Sequence, residues 1–327
     1  MRKAHSIAVI YDISKNTSTG ETIGWAYYLR ALALQKHKPC DFSVDIFQYS
    51  DVPWGDAIGK YDLVFNIEYA APSRNNIPAH VPLVVSFNSD SRRRHHFWPQ
   101  VRRQATYTIF NNIEAFEHYG RPNNSCCISN GVDPDIWYET VPISERPHTL
   151  LWSGSTGPTK GKGYQEIMQP LEEMAPQYVF ETDFRPIDDI DEKIVYPYSR
   201  QRDWYNSGSY QLCASISEGT PGTSLEAMAC GCVLVTLEVG NAQEFGEHQQ
   251  NLVFVRDRTP EAFIEALLYA REHRERLSSA GMAQIRNGWS YGSPGRRAEY
   301  FFAVFRAIID KRIPKPFSYH EVSPEEI

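Results

Sequence analysis

The 327-residue sequence contains no run approaching the about 18 uninterrupted apolar residues of a membrane-spanning helix. Its first apolar run, Ile7–Ile10, is too short for the core of a signal peptide. Basic residues are not in excess either, since 33 Lys and Arg stand against 40 Asp and Glu, for a net charge of -7. That balance argues against a general nucleic-acid-binding protein. We therefore expect a soluble, cytoplasmic protein that does not bind nucleic acid.

Cysteine is scarce, with six residues in the chain, and none has a usual zinc-ligand spacing. Cys126 and Cys127 are adjacent, and Cys230 and Cys232 form a C-x-C pair. In a long chain without a secretion signal, reduced thiols are the default. We therefore predict small, buried or half-buried cysteine side chains, and neither a zinc site nor a catalytic cysteine.

Low-complexity tracts and short-period repeats are absent as well, and the sequence instead alternates short apolar runs with longer amphipathic segments. This alternation is typical of parallel sheets covered by helices on both faces. It breaks at a proline-containing stretch near residues 134–147 and then restarts. The pattern predicts two doubly wound α/β domains with a cleft between them, and the chain is long enough for two cores.

The same alternation places the individual elements. Strands are predicted at residues 6–11, 43–48, 62–67, 82–87, 106–110, 125–129, 148–153, 177–182, 193–196, 209–215, 232–237 and 251–255. Helices are predicted at residues 21–36, 111–118, 163–174, 200–207, 223–231 and 259–273. Because doubly wound sheets bind ligands beyond the carboxyl ends of their strands, functional residues should lie in strand-to-helix loops.

The densest chemical signal lies in residues 212–231. An apolar strand ends at Ser217, a loop rich in glycine, threonine and proline follows, and a short helix begins near Thr223. The free N–H groups and the positive dipole end of a helix start can bind an anion. Glu218 lies at the strand exit and Glu226 in the first helical turns, and an ionised carboxylate accepts paired O–H donors. Together these features predict a nucleotide-sugar site, although singly each glutamate has a plain structural explanation.

Several short motifs, which occur in the same order along this sequence, resemble those of the retaining glycosyltransferases of family 4. They are Asn130–Asp133 (N-G-V-D), Lys162-Gly163, Trp204–Ser207, Leu212–Glu218, the E-x7-E spacing of Glu218 and Glu226, Val239–Glu244, and Trp289–Tyr291 before an amphipathic helix near 294–310. The resemblance is continuous from about residue 125 to 310 and is mainly a fold pattern before that.

The resemblance implies the GT-B fold, in which two doubly wound Rossmann-like domains face a central cleft. The N-terminal acceptor domain would span residues 1–140, and the nucleotide-sugar donor domain residues 148–290. Residues 291–327 would form a crossover helix and tail that pack back on the first domain.

The resemblance also implies roles for the donor-site residues. Glu226 would hold the ribose hydroxyls, and Glu218 the hydroxyls of the transferred sugar. Lys162 would balance the diphosphate, helped by backbone N–H groups, and is with Glu218 the candidate catalytic residue. The backbone donors would come from Gly222, Thr223 and Ser224. Because such groups stabilise the leaving diphosphate, no metal or other cofactor is expected beyond the donor itself.

One departure from the family concerns a second phosphate contact. The family usually has an arginine shortly after the glycine that follows the first C-terminal strand, but the run from Gly154 to Lys162 contains none. Gly154 and Lys160 are donor-binding candidates in this run, with Lys160 as the substitute for the arginine and Arg185 and Arg202 as alternatives to it. The plain interpretation of Lys160 is a solvated loop lysine.

Other candidates surround this site. Gly20, in the loop 12–20, would close over the donor phosphates, although a glycine before a helix is usually a turn residue. Tyr198, with residues 195–197, is the candidate wall for the base. The run Arg92–Arg94 can attract an anionic acceptor or a peripheral membrane lipid, with a solvated charged face as the alternative. The acceptor-side candidates are Glu68, Asn88, Asp90 and His95, with His96 beside the last.

The leading hypothesis is a retaining, metal-independent glycosyltransferase acting on a saccharide or glycoconjugate acceptor. One alternative is a sugar-nucleotide epimerase or phosphorylase on the same fold. Another is a nucleotide-sugar binding protein without catalysis, which the missing arginine motivates. The sequence does not distinguish uridine, guanosine, adenosine and thymidine donors, and it leaves the oligomeric state open.

Overall fold

The computed structural model describes residues 4–11, 26–67, 76–88, 98–157, 161–186 and 198–327. The chain divides into two compact units. The N-terminal unit comprises Met1–Asn130 with Arg296–Ile327, and the C-terminal unit is Gly131–Gly295.

In the N-terminal unit, six described strands form one parallel sheet in the order β2-β1-β3-β4-β5-β6. The strands are β1 (His5–Tyr11), β2 (Phe42–Gln48), β3 (Leu63–Asn66), β4 (Leu83–Phe87), β5 (Tyr107–Phe110) and β6 (Ser125–Cys127). The helices are α1 (Ala26–Lys36), α2 (Trp98–Gln104) and α3 (Ile113–His118), with 3₁₀ turns at Tyr49–Asp51 and Ile58–Lys60. Every residue of β3, β4 and β5 is buried, as expected for central parallel strands covered on both faces.

The C-terminal unit holds a second parallel sheet, of five described strands in the order β11-β10-β9-β7-β8. The strands are β7 (Thr149–Gly154), β8 (Glu181–Pro186), β9 (Tyr210–Cys213), β10 (Val233–Thr236) and β11 (Val253–Phe254). A π-helical turn, Tyr164–Met168, runs into α4 (Gln169–Met174) and a 3₁₀ turn at Ala175–Tyr178. The other helices are α5 (Tyr198–Tyr205), α6 (Gly222–Ala229), α7 (Ala242–Phe245), α8 (Pro260–Glu272) and α9 (Arg274–Gly288).

The last helix, α10 (Arg297–Ile309), belongs to the N-terminal unit. Its aromatic residues pack on the sheet, with the ring of Phe302 4.9 Å from Phe42 and the ring of Phe305 5.1 Å from Phe65. Beyond α10, the tail pairs with the edge strand β6. The N–H of Cys127 donates to the Phe317 carbonyl at 2.8 Å, and the N–H of Tyr319 donates back to Cys127 at 3.0 Å.

The strand predicted at 177–182 exists but is displaced, because β8 spans Glu181–Pro186. The tyrosine, valine and phenylalanine at 178–180 suggested a strand, but Val179 has a left-handed backbone (φ 62°) and is 76% exposed. The 3₁₀ turn ends at Tyr178, and β8 begins only at Glu181. The predicted strand at 193–196 lies outside the described residues. None of the helices in the described ranges is long and apolar enough to cross a membrane.

Candidate active site

The candidate site lies at the carboxyl ends of β7, β9 and β10, which are neighbours in the C-terminal sheet. Parallel strands end at the same edge, so the loops that follow them lie side by side. The loop after β7 carries Lys162, the loop after β9 carries Glu218, and the loop after β10 carries Gly240.

Lys162 and Glu218 form an ion pair in which Nζ of Lys162 donates to Oε1 of Glu218. Their side chains are 35% and 15% exposed, so a ligand can reach both groups. The backbone brings the two loops together, because the N–H of Ile216 donates to the Gly161 carbonyl at 2.9 Å. The structure thus joins the two residues that the sequence selected as catalytic candidates.

Gly163 allows this close approach of the loops. Its φ is +81°, and a Cβ there would lie 2.9 Å from both Cβ and the carbonyl oxygen of Ala214. Any other residue would be strained by its backbone and would clash with the strand exit. Packing against Ala214 therefore requires a glycine after Lys162.

A second glycine, Gly240, allows the loop after β10 to lie close to the backbone of Glu218. At Gly240 φ is +56°, and a Cβ would meet the Gly219 carbonyl and lie 2.8 Å from the Glu218 carbonyl. The neighbouring Asn241 donates its N–H to Gly219 at 3.1 Å and its amide Nδ2 to Thr220 Oγ1 at 3.0 Å. The loop that carries Glu218 is therefore fixed from both sides.

Helix α6 begins at Gly222 and presents its first N–H groups at the end of this loop. Gly222 and Thr223 come before any helical carbonyl that could accept from them. The third predicted donor differs, because the N–H of Ser224 donates to the Pro221 carbonyl at 3.0 Å. The Ser224 hydroxyl oxygen is buried and has no hydrogen-bond partner in the described part of the chain. Of the three N–H groups that the sequence suggested for binding an anion, the one of Ser224 is thus bonded within the protein.

Glu226 lies one turn further along α6 and is half-buried. A Cβ on Gly222 would be 4.0 Å from its Oε1, so the carboxylate stands beside the helix start. Tyr205, at the end of α5, donates from Oη to Glu226 Oε2 at 3.0 Å. Burial raises the pKa of Glu226 to about 8, while the hydrogen bond from Tyr205 acts in the opposite direction. Tyr205 occurs in the Trp204–Ser207 motif, but sequence reasoning gave it no role.

A buried arginine holds Tyr205 in place. Arg146 donates through Nη1 to the Tyr205 carbonyl at 3.3 Å and through Nη2 to the Cys230 carbonyl at 2.7 Å. Cys232 donates its thiol to the same Tyr205 carbonyl at 3.0 Å, and burial raises its pKa to about 12. This thiol therefore stays neutral and structural. All cysteines except the exposed Cys40 are buried.

The remaining donor-side candidates have other contacts. Gly154 ends β7, where a Cβ would lie 2.7 Å from the Trp152 indole. Tyr198 begins α5 and is half-buried. Arg185 pairs with Asp183 at 3.2 Å, and Arg202 donates to Tyr138 Oη at 2.6 Å. Lys160 and the candidate base wall at 195–197 lie outside the described residues.

In the N-terminal unit, Asn88 directly follows β4. Its Oδ1 accepts from Arg30 Nη1 at 2.9 Å and from Ser86 Oγ at 2.8 Å, and its Nδ2 donates to the Ile67 carbonyl. Arg30, on α1, is 3% exposed and was missed in the sequence, where it resembles an ordinary helix-surface arginine. The other candidates lie outside the described residues: Gly20, Glu68, Asp90, Arg92–Arg94, His95 and His96.

Within the described ranges, no group of three or more histidine, cysteine, aspartate or glutamate side chains is arranged to hold a metal ion.

Comparison with known proteins adds a family match and a fold. Residues 182–273 match the sequence model of the family described as Glycosyl transferases group 1. No curated protein matches the chain.

Three solved structures are similar over nearly the whole chain. Sucrose-phosphate synthase from Thermosynechococcus elongatus is 13% identical with a TM-score of 0.64, covering 94% of this chain and 100% of its own. HepE from Anabaena, in complex with UDP and glucose, is 14% identical with a TM-score of 0.62, covering 90% and 99%. AviGT4, a glycosyltransferase involved in avilamycin A biosynthesis, is 14% identical with a TM-score of 0.62, covering 94% and 98%. The predicted fold is confirmed: the chain has the GT-B fold, and its residues 182–273 match the group 1 glycosyl transferases.

Proposed function

We propose that the protein is a glycosyltransferase that moves a sugar from a nucleotide diphosphate-sugar to an acceptor hydroxyl group. The observation that carries this proposal is the ion pair of Lys162 with Glu218, which lies in the loop that leads into α6, together with Glu226 beside the first residue of that helix. The loops after β7 and β9 and helix α6 thus combine a cation, two acidic side chains and a helix N-terminus. These are the groups that a diphosphate with a hydroxylated sugar on either side requires.

The diphosphate would bind at the N–H groups of Gly222 and Thr223, where the positive end of the α6 dipole favours a negative charge. Lys162 would reach the same phosphates. Glu226 stands beside Gly222 and would accept hydrogen bonds from the ribose hydroxyls. UDP is the nucleotide we propose, because the similar HepE structure is a complex with UDP and glucose.

Donor binding would change the partner of Lys162. In the structure, Nζ of Lys162 donates to Glu218. An arriving diphosphate offers a stronger negative partner, so Lys162 turns to it and Glu218 becomes free to accept from the sugar hydroxyls. The ion pair thus keeps both groups satisfied until the donor replaces it.

In the reaction, the bond between the anomeric carbon and the phosphate oxygen breaks, the acceptor oxygen forms the new bond, and its proton passes to the departing phosphate oxygen. Negative charge grows on the leaving diphosphate, where Lys162 and the α6 amides stabilise it. We propose that this cationic set serves without a metal ion, and that the anomeric configuration is retained as in family 4. The N-terminal unit, including Asn88, would bind the saccharide or glycoconjugate acceptor.

A thermal-shift panel of UDP, GDP, ADP and dTDP tests the donor site, because a ligand of the folded state raises the melting temperature. Stabilisation by at least one diphosphate, lost in Lys162→Met, supports the proposal. The absence of any shift contradicts it. UDP release from UDP-glucose over an acceptor panel then tests transfer, and conversion of the sugar without acceptor would instead indicate an epimerase.

A further inference from the structure

Arg258 lies in the connection between β11 and α8, outside every motif discussed above. Its neighbours Arg256 and Asp257 are exposed, whereas the Arg258 side chain is only 27% exposed. The side chain reaches the neighbourhood of the loop that carries Lys162, because its guanidinium contacts Ala214 and Glu166 and lies beside Gly163.

The guanidinium of Arg258 contacts one backbone carbonyl and one side-chain carboxylate, and it lies beside Gly163. Its Nε donates to the Ala214 carbonyl, at the exit of β9, at 3.1 Å. Its Nη2 lies 3.6 Å from Glu166 Oε2, in the π-helical turn. The same Nη2 is 3.0 Å from the position that a Cβ of Gly163 would occupy. One planar group therefore donates to the β9 exit and pairs with the helical turn after Gly163, and it fills the space into which a side chain at Gly163 would point.

The residue before Gly163 is Lys162, so these contacts lie on the C-terminal side of Lys162. On its other side, the Gly161 carbonyl accepts from the N–H of Ile216 at 2.9 Å. The chain is thus tied to the β9 exit on both sides of Lys162, at Gly161 by a backbone hydrogen bond and at Glu166 through Arg258. A lysine side chain has several rotatable bonds, so the position of its ammonium group depends on how firmly its backbone is held.

We propose that Arg258 is a positioning residue for Lys162, and that it holds the turn 161–163 so that Nζ reaches Glu218 or, in its place, a bound diphosphate. This inference rests on the proposed function for its ligand, but the anchoring of the turn is independent of it. An arginine suits the role, because its guanidinium carries donors in several directions and can donate to Ala214 while it pairs with Glu166.

The first test needs no nucleotide. Hydrogen exchange of the Ile216 amide should be about tenfold faster in Arg258→Met than in the wild type, since the turn that accepts from it has lost one anchor. Arg256→Met removes the same charge from an exposed site two residues away and is the matched control. Unchanged exchange in Arg258→Met would overturn the inference.

The second test measures UDP and uridine binding by calorimetry in the wild type, Arg258→Met, Lys162→Met and the double variant. Arg258→Met should weaken UDP binding about tenfold, leave uridine binding unchanged, and add nothing in the Lys162→Met background, because it acts through Lys162. Additive losses, or an equal loss of uridine binding, would show that Arg258 does not act through Lys162 and would refute the proposal. Arg258→Lys should restore little, since a lysine cannot form both contacts.

The two tests separate the two proposals. If the wild type does not bind UDP but the Ile216 amide exchanges faster in Arg258→Met, the proposed UDP-sugar donor is contradicted. The same result supports the proposal that Arg258 anchors the turn 161–163. If the wild type and Arg258→Met bind UDP equally tightly, the role of Arg258 is contradicted and the proposed function stays supported.

Discussion

Tyr205 donates a hydrogen bond from its hydroxyl group to the Glu226 carboxylate across 3.0 Å. The tyrosine is fully buried, and Arg146 and Cys232 donate to its carbonyl. Glu226 is therefore held beside the start of α6 before any nucleotide arrives. Such prior orientation lowers the entropy lost on binding.

Glu226→Gln should change how stability depends on pH. The Glu226 pKa is raised from 4.5 to about 8, so between these values the folded protein keeps a proton that the unfolded chain has released. Stability from this group is therefore lost as pH rises through that window. Glutamine does not ionise, so the variant should lose less stability than the wild type between about pH 5.5 and about pH 8.5. Thermal melts at both values check this, and parallel behaviour of the two proteins would contradict the raised pKa.

Glu218→Gln should separate binding from transfer. Loss of the sugar-binding carboxylate is expected to lower kcat for sugar transfer at least about a hundredfold. UDP binding should be equal or tighter, because Lys162 no longer has to leave an ionic partner. Calorimetry with UDP and a transfer assay measure the two effects. Glu173→Gln, an exposed residue of α4, is the control, and wild-type turnover in Glu218→Gln would remove Glu218 from the mechanism.

Chelation of divalent metal should leave transfer intact. Lys162 and the α6 amides would supply the positive charge on the leaving diphosphate, so an excess of EDTA should change the rate less than about twofold. Lys162→Met should lower the same rate by about a hundredfold or more. A rate that falls with EDTA and returns with Mg²⁺ or Mn²⁺ would refute metal independence.

Gly163→Ala should be more harmful than a glycine replacement that only strains the backbone. Gly120 has φ +71° and nothing within 4 Å of a built Cβ, whereas at Gly163 a Cβ would lie 2.9 Å from Ala214. We expect Gly120→Ala to cost about 1 kcal/mol of unfolding free energy and Gly163→Ala about 2–4 kcal/mol. Denaturant unfolding measures both. UDP binding should weaken only in Gly163→Ala, and equal costs in the two variants would contradict the packing role.

Much of the architecture was predictable from hydrophobic pattern. Parallel strands buried on both faces produce continuous apolar runs, and runs such as Leu83–Phe87 were correctly assigned. Helix α9 was missed because only Leu277 and Ile285 are large apolar residues facing the core in its fifteen positions. The strand predicted at 177–182 starts too early, because Val179 has a left-handed backbone. A β-branched residue rarely adopts that conformation, so nothing in the sequence indicated the turn.

The candidate site was predictable where spacing along the chain determines it. Glu218, Glu226 and the start of α6 belong to one loop and helix, so their order already describes their neighbourhood. The residues that support them come from distant positions. Tyr205, Arg146 and Arg258 reach the site through tertiary packing, and a polar or aromatic residue in a helix or loop carries no local sign of such a contact.

The pairing of the tail with β6 has a consequence for solubility. An exposed edge strand offers unpaired N–H and C=O groups to other chains and invites intermolecular strand addition. Phe317 and Tyr319 occupy those groups on Cys127, at one margin of the N-terminal sheet. Removing the tail after residue 316 would uncover this margin, and we expect the shortened protein to self-associate at concentrations where the full chain stays dispersed.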